Sequence, residues 1–160
     1  MKCRVIESPL YVDLINSWGA KAVAMNFDEV YTALQQKVID STPNSPYSYS
    51  TVRHYEVAPY FSITDHMHAC YSLTISKKVF DALASEIQEA IKACARELIP
   101  ISTKITAETE LRVIGELVRK HKVLFNVADK DTFKAASKEV IEKWSKNVGM
   151  EIIERIRAAK

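Results

Sequence analysis

The sequence predicts an α/β fold, a short parallel or mixed sheet with flanking helices followed by a long kinked helix. Three observations carry this. Short apolar runs alternate with helix-period segments over the first 75 residues. Apolar residues then step by three and four for about thirty residues, with one proline inside. The composition is that of a folded chain: 160 residues, 48% hydrophobic and 26% charged. That length suits about one domain and buries a core without a staple.

Cys3–Ile6 reads as the first strand, closed by Ser8 and Pro9. Tyr11, Leu14, Ile15 and Trp18 share a helical face, and Gly19 stands where a helix end favours a left-handed residue. Ala22–Met25 is a second strand. Asn26 with Glu29 three residues on reads as a capping box, opening a helix with Val30, Leu34 and Val38 on one face. Strands and helices alternating at this spacing need a parallel sheet with crossover helices. A turn-rich loop, Asp40 to Pro46, precedes two further strands, Tyr60–Ile63 and Cys70–Ile75, the second alternating Tyr71, Leu73 and Ile75. The long helix runs through Ile87, Ile91, Cys94, Leu98, Ile101, Ile105, Leu111, Ile114 and Val118, and Pro100 should kink it. At about 45 Å it needs support along its whole length. Lys122–Val127 is one more strand, and helices over 130–146 and 148–158 follow.

Several function classes are excluded. The net charge is +2, with five Lys+Arg against seven Asp+Glu in residues 1–75 and seventeen against thirteen in 76–160, which leaves no nucleic-acid footprint. No stretch of 18 apolar residues offers a membrane span. Three glycines cannot supply a phosphate-cradling loop, and three scattered cysteines are no disulfide framework. The first residues, Met1-Lys2-Cys3-Arg4, lack the apolar core of a secretory signal.

Arg4 stands at the end of a strand, where open α/β sheets bind ligands, and a guanidinium grips a carboxylate through two parallel N–H···O bonds. It reads equally as a solvated or ion-paired arginine, with Glu7 in reach as partner or as acceptor for a ligand hydroxyl. His66, His68 and Cys70 would share one face of an extended segment and could hold zinc, or could simply be packed side chains. No motif couples a nucleophile to a base, so an enzyme is not expected. The paired carboxylates Glu86/Glu89 and Glu108/Glu110 sit among lysines and read as solvated helix faces. Tyr47, Tyr49, Tyr55, Tyr60, Phe61 and Tyr71 describe either an aromatic-walled pocket or a core.

Arg4-Val5, then the run Met25-Asn26-Phe27-Asp28-Glu29-Val30-Tyr31-Thr32-Ala33-Leu34-Gln35-Gln36, then Val38-Ile39-Asp40 followed by Asn44 resemble a known family. So do His54-Tyr55-Glu56-Val57, Phe61-Ser62-Ile63-Thr64-Asp65-His66 and Ile75-Ser76-Lys77-Lys78-Val79-Phe80-Asp81-Ala82-Leu83. The chain is similar to the extracytoplasmic solute-binding subunits of TRAP transporters, the DctP type, in continuous register from Arg4 to Leu83. The resemblance implies the second lobe of a clamp like those of periplasmic binding proteins (type II-like), closing on an organic acid that is delivered to a TRAP membrane permease. It places Arg4 on the carboxylate, Phe27 in the pocket wall and Asn44 on the ligand, with Glu7, Met67 and Tyr71 as further candidates. It implies no cofactor, no metal and a periplasmic location. Residues 1–83 would be the ligand-binding lobe, with 84–160 packing along it. The lobe that precedes the arginine in the family would be absent, as would a signal peptide. The loop departs from the family's D-G-x-E-N, being Asp40-Ser41-Thr42-Pro43-Asn44, and Pro43 removes a backbone donor, so a reshaped loop is expected. The alternative is a truncated, non-binding α/β module that self-associates as a homodimer, or binds another chain, through surface left exposed.

Overall fold

The computed structural model describes residues 1–67 and 71–159. β1 (Lys2–Val5), α1 (Pro9–Ser17) and β2 (Lys21–Ala24) form a right-sized crossover unit, and β1 and β2 pair in parallel from Lys2 opposite Lys21 to Val5 opposite Ala24. Pro9 opens α1 because its missing N–H is unneeded in a first turn, and Gly19 at φ +77° lets the chain reverse into β2. Cys3, Val5 and Ile15 are buried between strand and helix, with Trp18 and Ala22 against them.

A single 3-10 turn at Phe27–Glu29 leads into α2 (Val30–Gln35). Val30, Ala33 and Leu34 pack with Ile39 into a second core. The capping box does not form: Asn26 makes no side-chain cap bond, and Val38 is exposed beyond the helix end. Lys37, at φ +59°, breaks the helix first. With few glycines available, lysine takes the left-handed position at this stop and again at Lys122 (φ +58°).

The Asp40–Pro46 loop is stitched to β1. Lys2 N–H donates to Asp40 Oδ2 at 2.6 Å, Arg4 N–H donates to Ser41 O at 2.8 Å, and Cys3 bridges Ser41 in parallel. Beyond it come two elements absent from the hydrophobic pattern: α3 (Pro46–Thr51), capped by Ser45 Oγ on Ser48 N–H, and a 3-10 turn at His54–Glu56.

β3 (Tyr60–Ile63) pairs in parallel with β4 (Leu124–Val127), so a strand from the first 83 residues and one from the remainder share a sheet. Between them lie α4 (Lys77–Asp81) and α5 (Ser85–His121), 37 residues with Pro100 inside. Val113 and Leu117 of α5 are buried with Tyr49 and Val123, whereas Leu98, Ile99, Ile101 and Ile105 are largely exposed. The expected strand at Cys70–Ile75 is corrected: Cys70 lies outside the described residues, and 71–75 form no strand. Its alternation is real, but no neighbouring strand among the described residues offers a ladder, and an isolated strand does not hold.

α6 (Lys130–Ala136), α7 (Lys138–Val148) and α8 (Met150–Ala158) close the chain. Asp129 caps α6 through the N–H groups of Asp131 and Thr132. The seam with α1 is polar as well as apolar. Trp18 Nε1–H donates to Ser137 Oγ at 2.8 Å, while Trp144 Nε1–H and Lys143 Nζ both reach Asp13 Oδ2, at 2.8 and 2.7 Å.

Candidate functional site

Four side chains converge where β1, the Phe27 turn, the stitched loop and the His54 turn meet. Arg4, the third residue of β1, is buried at 6% exposure. Its Nε–H donates to Met25 O at 3.0 Å, which holds the guanidinium at the carboxyl end of β2. The guanidinium carbon lies 5.6 Å from the centre of the Phe27 ring, a cation–π distance, and that ring is 40% exposed. The Phe27 and His54 rings are 5.9 Å apart. Asn44 Nδ2 lies 3.4 Å from His54 Nδ1, and Asn44 Oδ1 accepts from Ser45 N–H at 3.0 Å.

The electrostatics follow from burial. Desolvation lowers the pKa of Arg4 from its ordinary value, outweighing the opposing influence of Cys3, and no carboxylate among the described residues stands beside it to raise it. Burial also lowers that of His54, and the positive charge of Arg4 lowers it further, so the imidazole is held neutral. Burial raises the Cys3 thiol, so the adjacent sulfur is a protonated spectator. A guanidinium lifted out of water without an anionic partner is costly. The arrangement suits an anion that arrives with its own charge, lies on the guanidinium and passes the Phe27 face.

Arg4, Phe27 and Asn44, singled out in the sequence, are thus brought together. Glu7 is exposed just past β1 and forms no ion pair with Arg4 among the described residues. Met67 lies elsewhere, lining an apolar cavity of about 410 Å³ with Tyr11, Trp18, His66 and Phe133. Tyr71 is 93% exposed and belongs to no element. His54 is the member that sequence reasoning missed as a site residue. In the sequence it opens the segment His54-Tyr55-Glu56-Val57, and a histidine inside an aromatic-rich stretch is the available signal.

The zinc reading cannot be completed on the described residues, because His68 and Cys70 lie outside them. His66 places Nδ1 2.6 Å from Thr64 Oγ1 and its ring edge-on to Trp18, with Nε2 buried and without a partner among the described residues. Among the described residues no three metal-ligating side chains come together.

Comparison with known proteins extends the local geometry. The model of bacterial extracellular solute-binding protein family 7 matches residues 1–147. A solute-binding protein of Chromohalobacter salexigens is 30% identical over 150 residues, covering 90% of this chain and 43% of its own. A TRAP periplasmic solute-binding protein from a Sulfitobacter species, solved with bound β-D-galacturonate, superposes with a TM-score of 0.81 at 33% identity, over 96% of this chain and 51% of that one. One from Shewanella oneidensis, with bound succinate, gives a TM-score of 0.85 at 25% identity, over 96% of this chain and 52% of its own. The chain spans about half the length of the curated relatives and solved structures it matches.

Proposed function

The chain belongs to the DctP-type bacterial extracellular solute-binding proteins, family 7, and from that premise we propose that it binds a small organic acid by the carboxylate, with Arg4 as the grip. The family is one of transport proteins rather than enzymes. The observation that carries the reading is Arg4 itself: a buried guanidinium, oriented through Nε on Met25 O, with no carboxylate partner among the described residues and an aromatic face beside it. A bidentate pair in that desolvated position fixes the acid's orientation, and Phe27 and Asn44 sort what is attached to it. Uronates and succinate, seen in similar proteins, define the ligand class to try first. In this reading residues 1–83 hold the acid, 84–160 frame them, and the protein works in the periplasm and hands its ligand to a TRAP permease.

The test is a thermal-shift series with galacturonate, glucuronate and succinate on the natural product and on Arg4→Lys. A ligand that binds only the folded state raises stability by about 2.7 kcal/mol at a hundredfold excess over Kd. We expect a shift with one of these acids that Arg4→Lys loses, because an ammonium cannot make the two parallel bonds. A chain indifferent to all three acids would overturn the proposal. A second reading, a partner-binding module, draws on the exposed apolar residues of α5, and light scattering that shows a dimer indifferent to acids would favour it.

A further inference from the structure

Resting on that reading, we propose that His54 is a positioning residue: it locks the Asn44 side chain so that an N–H, and not the carbonyl oxygen, is presented to the acid on Arg4. The chain of reasoning begins at a donor that cannot be reassigned. Ser45 N–H is a backbone group, and it donates to Asn44 Oδ1 at 3.0 Å. That fixes which end of the amide is oxygen, and therefore puts the NH₂ group on the His54 side, 3.4 Å from Nδ1. An amide NH₂ can only donate, so Nδ1 must accept, and the imidazole carries its proton on Nε2. Burial and the neighbouring guanidinium keep a second proton off the ring, which preserves Nδ1 as an acceptor.

One Asn44 hydrogen is thus spent on His54, the oxygen is spent on Ser45, and one N–H is left over. Flipping the amide would set NH₂ against the Ser45 backbone N–H and lose that bond, and Oδ1 would then be met by His54 only with the imidazole proton moved to Nδ1. The loop that carries Asn44 is tied to β1 by Arg4 N–H on Ser41 O, so the remaining donor is fixed on that loop in the free protein and needs little ordering when ligand arrives. His54 is itself held in place, at 1% exposure, against the Phe27 ring. A site built this way takes an acceptor next to the gripped carboxyl, such as its second oxygen or a neighbouring hydroxyl oxygen, and rejects a bare ammonium there.

The experiment is a double-mutant cycle on the natural product, with galacturonate and succinate as probes. His54→Phe fills the space without an acceptor, His54→Gln restores one, and Asn44→Ala removes the amide. Thermal melting of each variant establishes folding, and the cycle is repeated with His54→Leu so that one unstable variant does not decide it. His54→Phe should weaken the acid that the wild type binds about tenfold, the loss of one hydrogen bond to a charged group. His54→Gln should recover most of this, and the double variant should bind no worse than Asn44→Ala alone. Wild-type affinity in His54→Phe, or losses that multiply in the double variant, would overturn the role of His54 while leaving the carboxylate reading intact. A wild type that binds neither probe would overturn that reading, and this inference with it.

Discussion

The middle and the C-terminal end of α5 belong to one helix and meet opposite fates. The apolar series read in the sequence ends with Leu111, Ile114 and Val118, yet the residues of α5 that reach a core are Val113 and Leu117, beside that series, where α3, β3 and β4 close over them. Leu98, Ile101 and Ile105 belong to the series and are exposed, as are Leu111 and Val118 nearer the C-terminal end. Periodicity therefore marks the segment as helix, and which side of it is buried is decided by the surface that arrives to cover it. The contrast also separates two sources of helix stability, tertiary burial at the C-terminal end and backbone hydrogen bonds with weak surface pairs such as Lys104–Glu108 in the middle.

The largest expected effect tests the buried end. Leu117→Ala should cost about 2–5 kcal/mol, read from chemical denaturation, because a wholly buried side chain leaves a cavity. Ile101→Ala should lie within about 0.5 kcal/mol of the wild type, as for exposed positions generally. Comparable losses at both positions would mean that the middle of α5 is covered in solution, and the contrast would fail. Hydrogen exchange sharpens it further: amides of residues 101–108 should exchange well before those of 113–121.

A smaller effect distinguishes the packed regions by acidity. His54 and His66 have pKa values lowered by burial, so the folded state binds fewer protons than the unfolded chain, whose histidines titrate near 6.5. Their contribution to stability is complete above about pH 6.5 and is lost as the pH falls from there through the lowered folded values. Melting at pH 5 should accordingly come below melting at pH 7, with a smaller difference in His54→Phe. An equal difference in that variant would remove His54 from the account. The smallest effect lies at the helix end: Lys122→Gly should raise stability by up to about 1 kcal/mol, because glycine carries no penalty at φ +58°.

These contrasts explain what was legible in advance. β1, α1, β2, β3, β4 and the long helix could be read because each is a local pattern closed by a local stop, such as Pro9 or Gly19. The strand expected at Cys70–Ile75 could not be decided that way, since alternation needs a partner strand that no local pattern supplies. The Asn26 capping box was correct in residue type and failed in geometry, as the chain entered α2 through a 3-10 turn instead. At the site, Arg4, Phe27 and Asn44 came from the resemblance to a family. His54 was missed because its significance lies ten to fifty residues away in sequence, in contacts with Asn44 and Phe27 and in the Arg4 field.

The seam between α1 and the C-terminal helices has a consequence for optical work. The protein has two tryptophans, and Trp18 and Trp144 both sit there, each with its indole N–H on a partner across the seam. Neither stands among Arg4, Phe27, Asn44 and His54. Ultraviolet emission from this protein will therefore report on whether α6 and α7 stay docked, and its change on heating or in denaturant will mark their release. Occupancy of the arginine site, whose four residues include neither tryptophan, is followed more directly by heat or by a signal from the ligand.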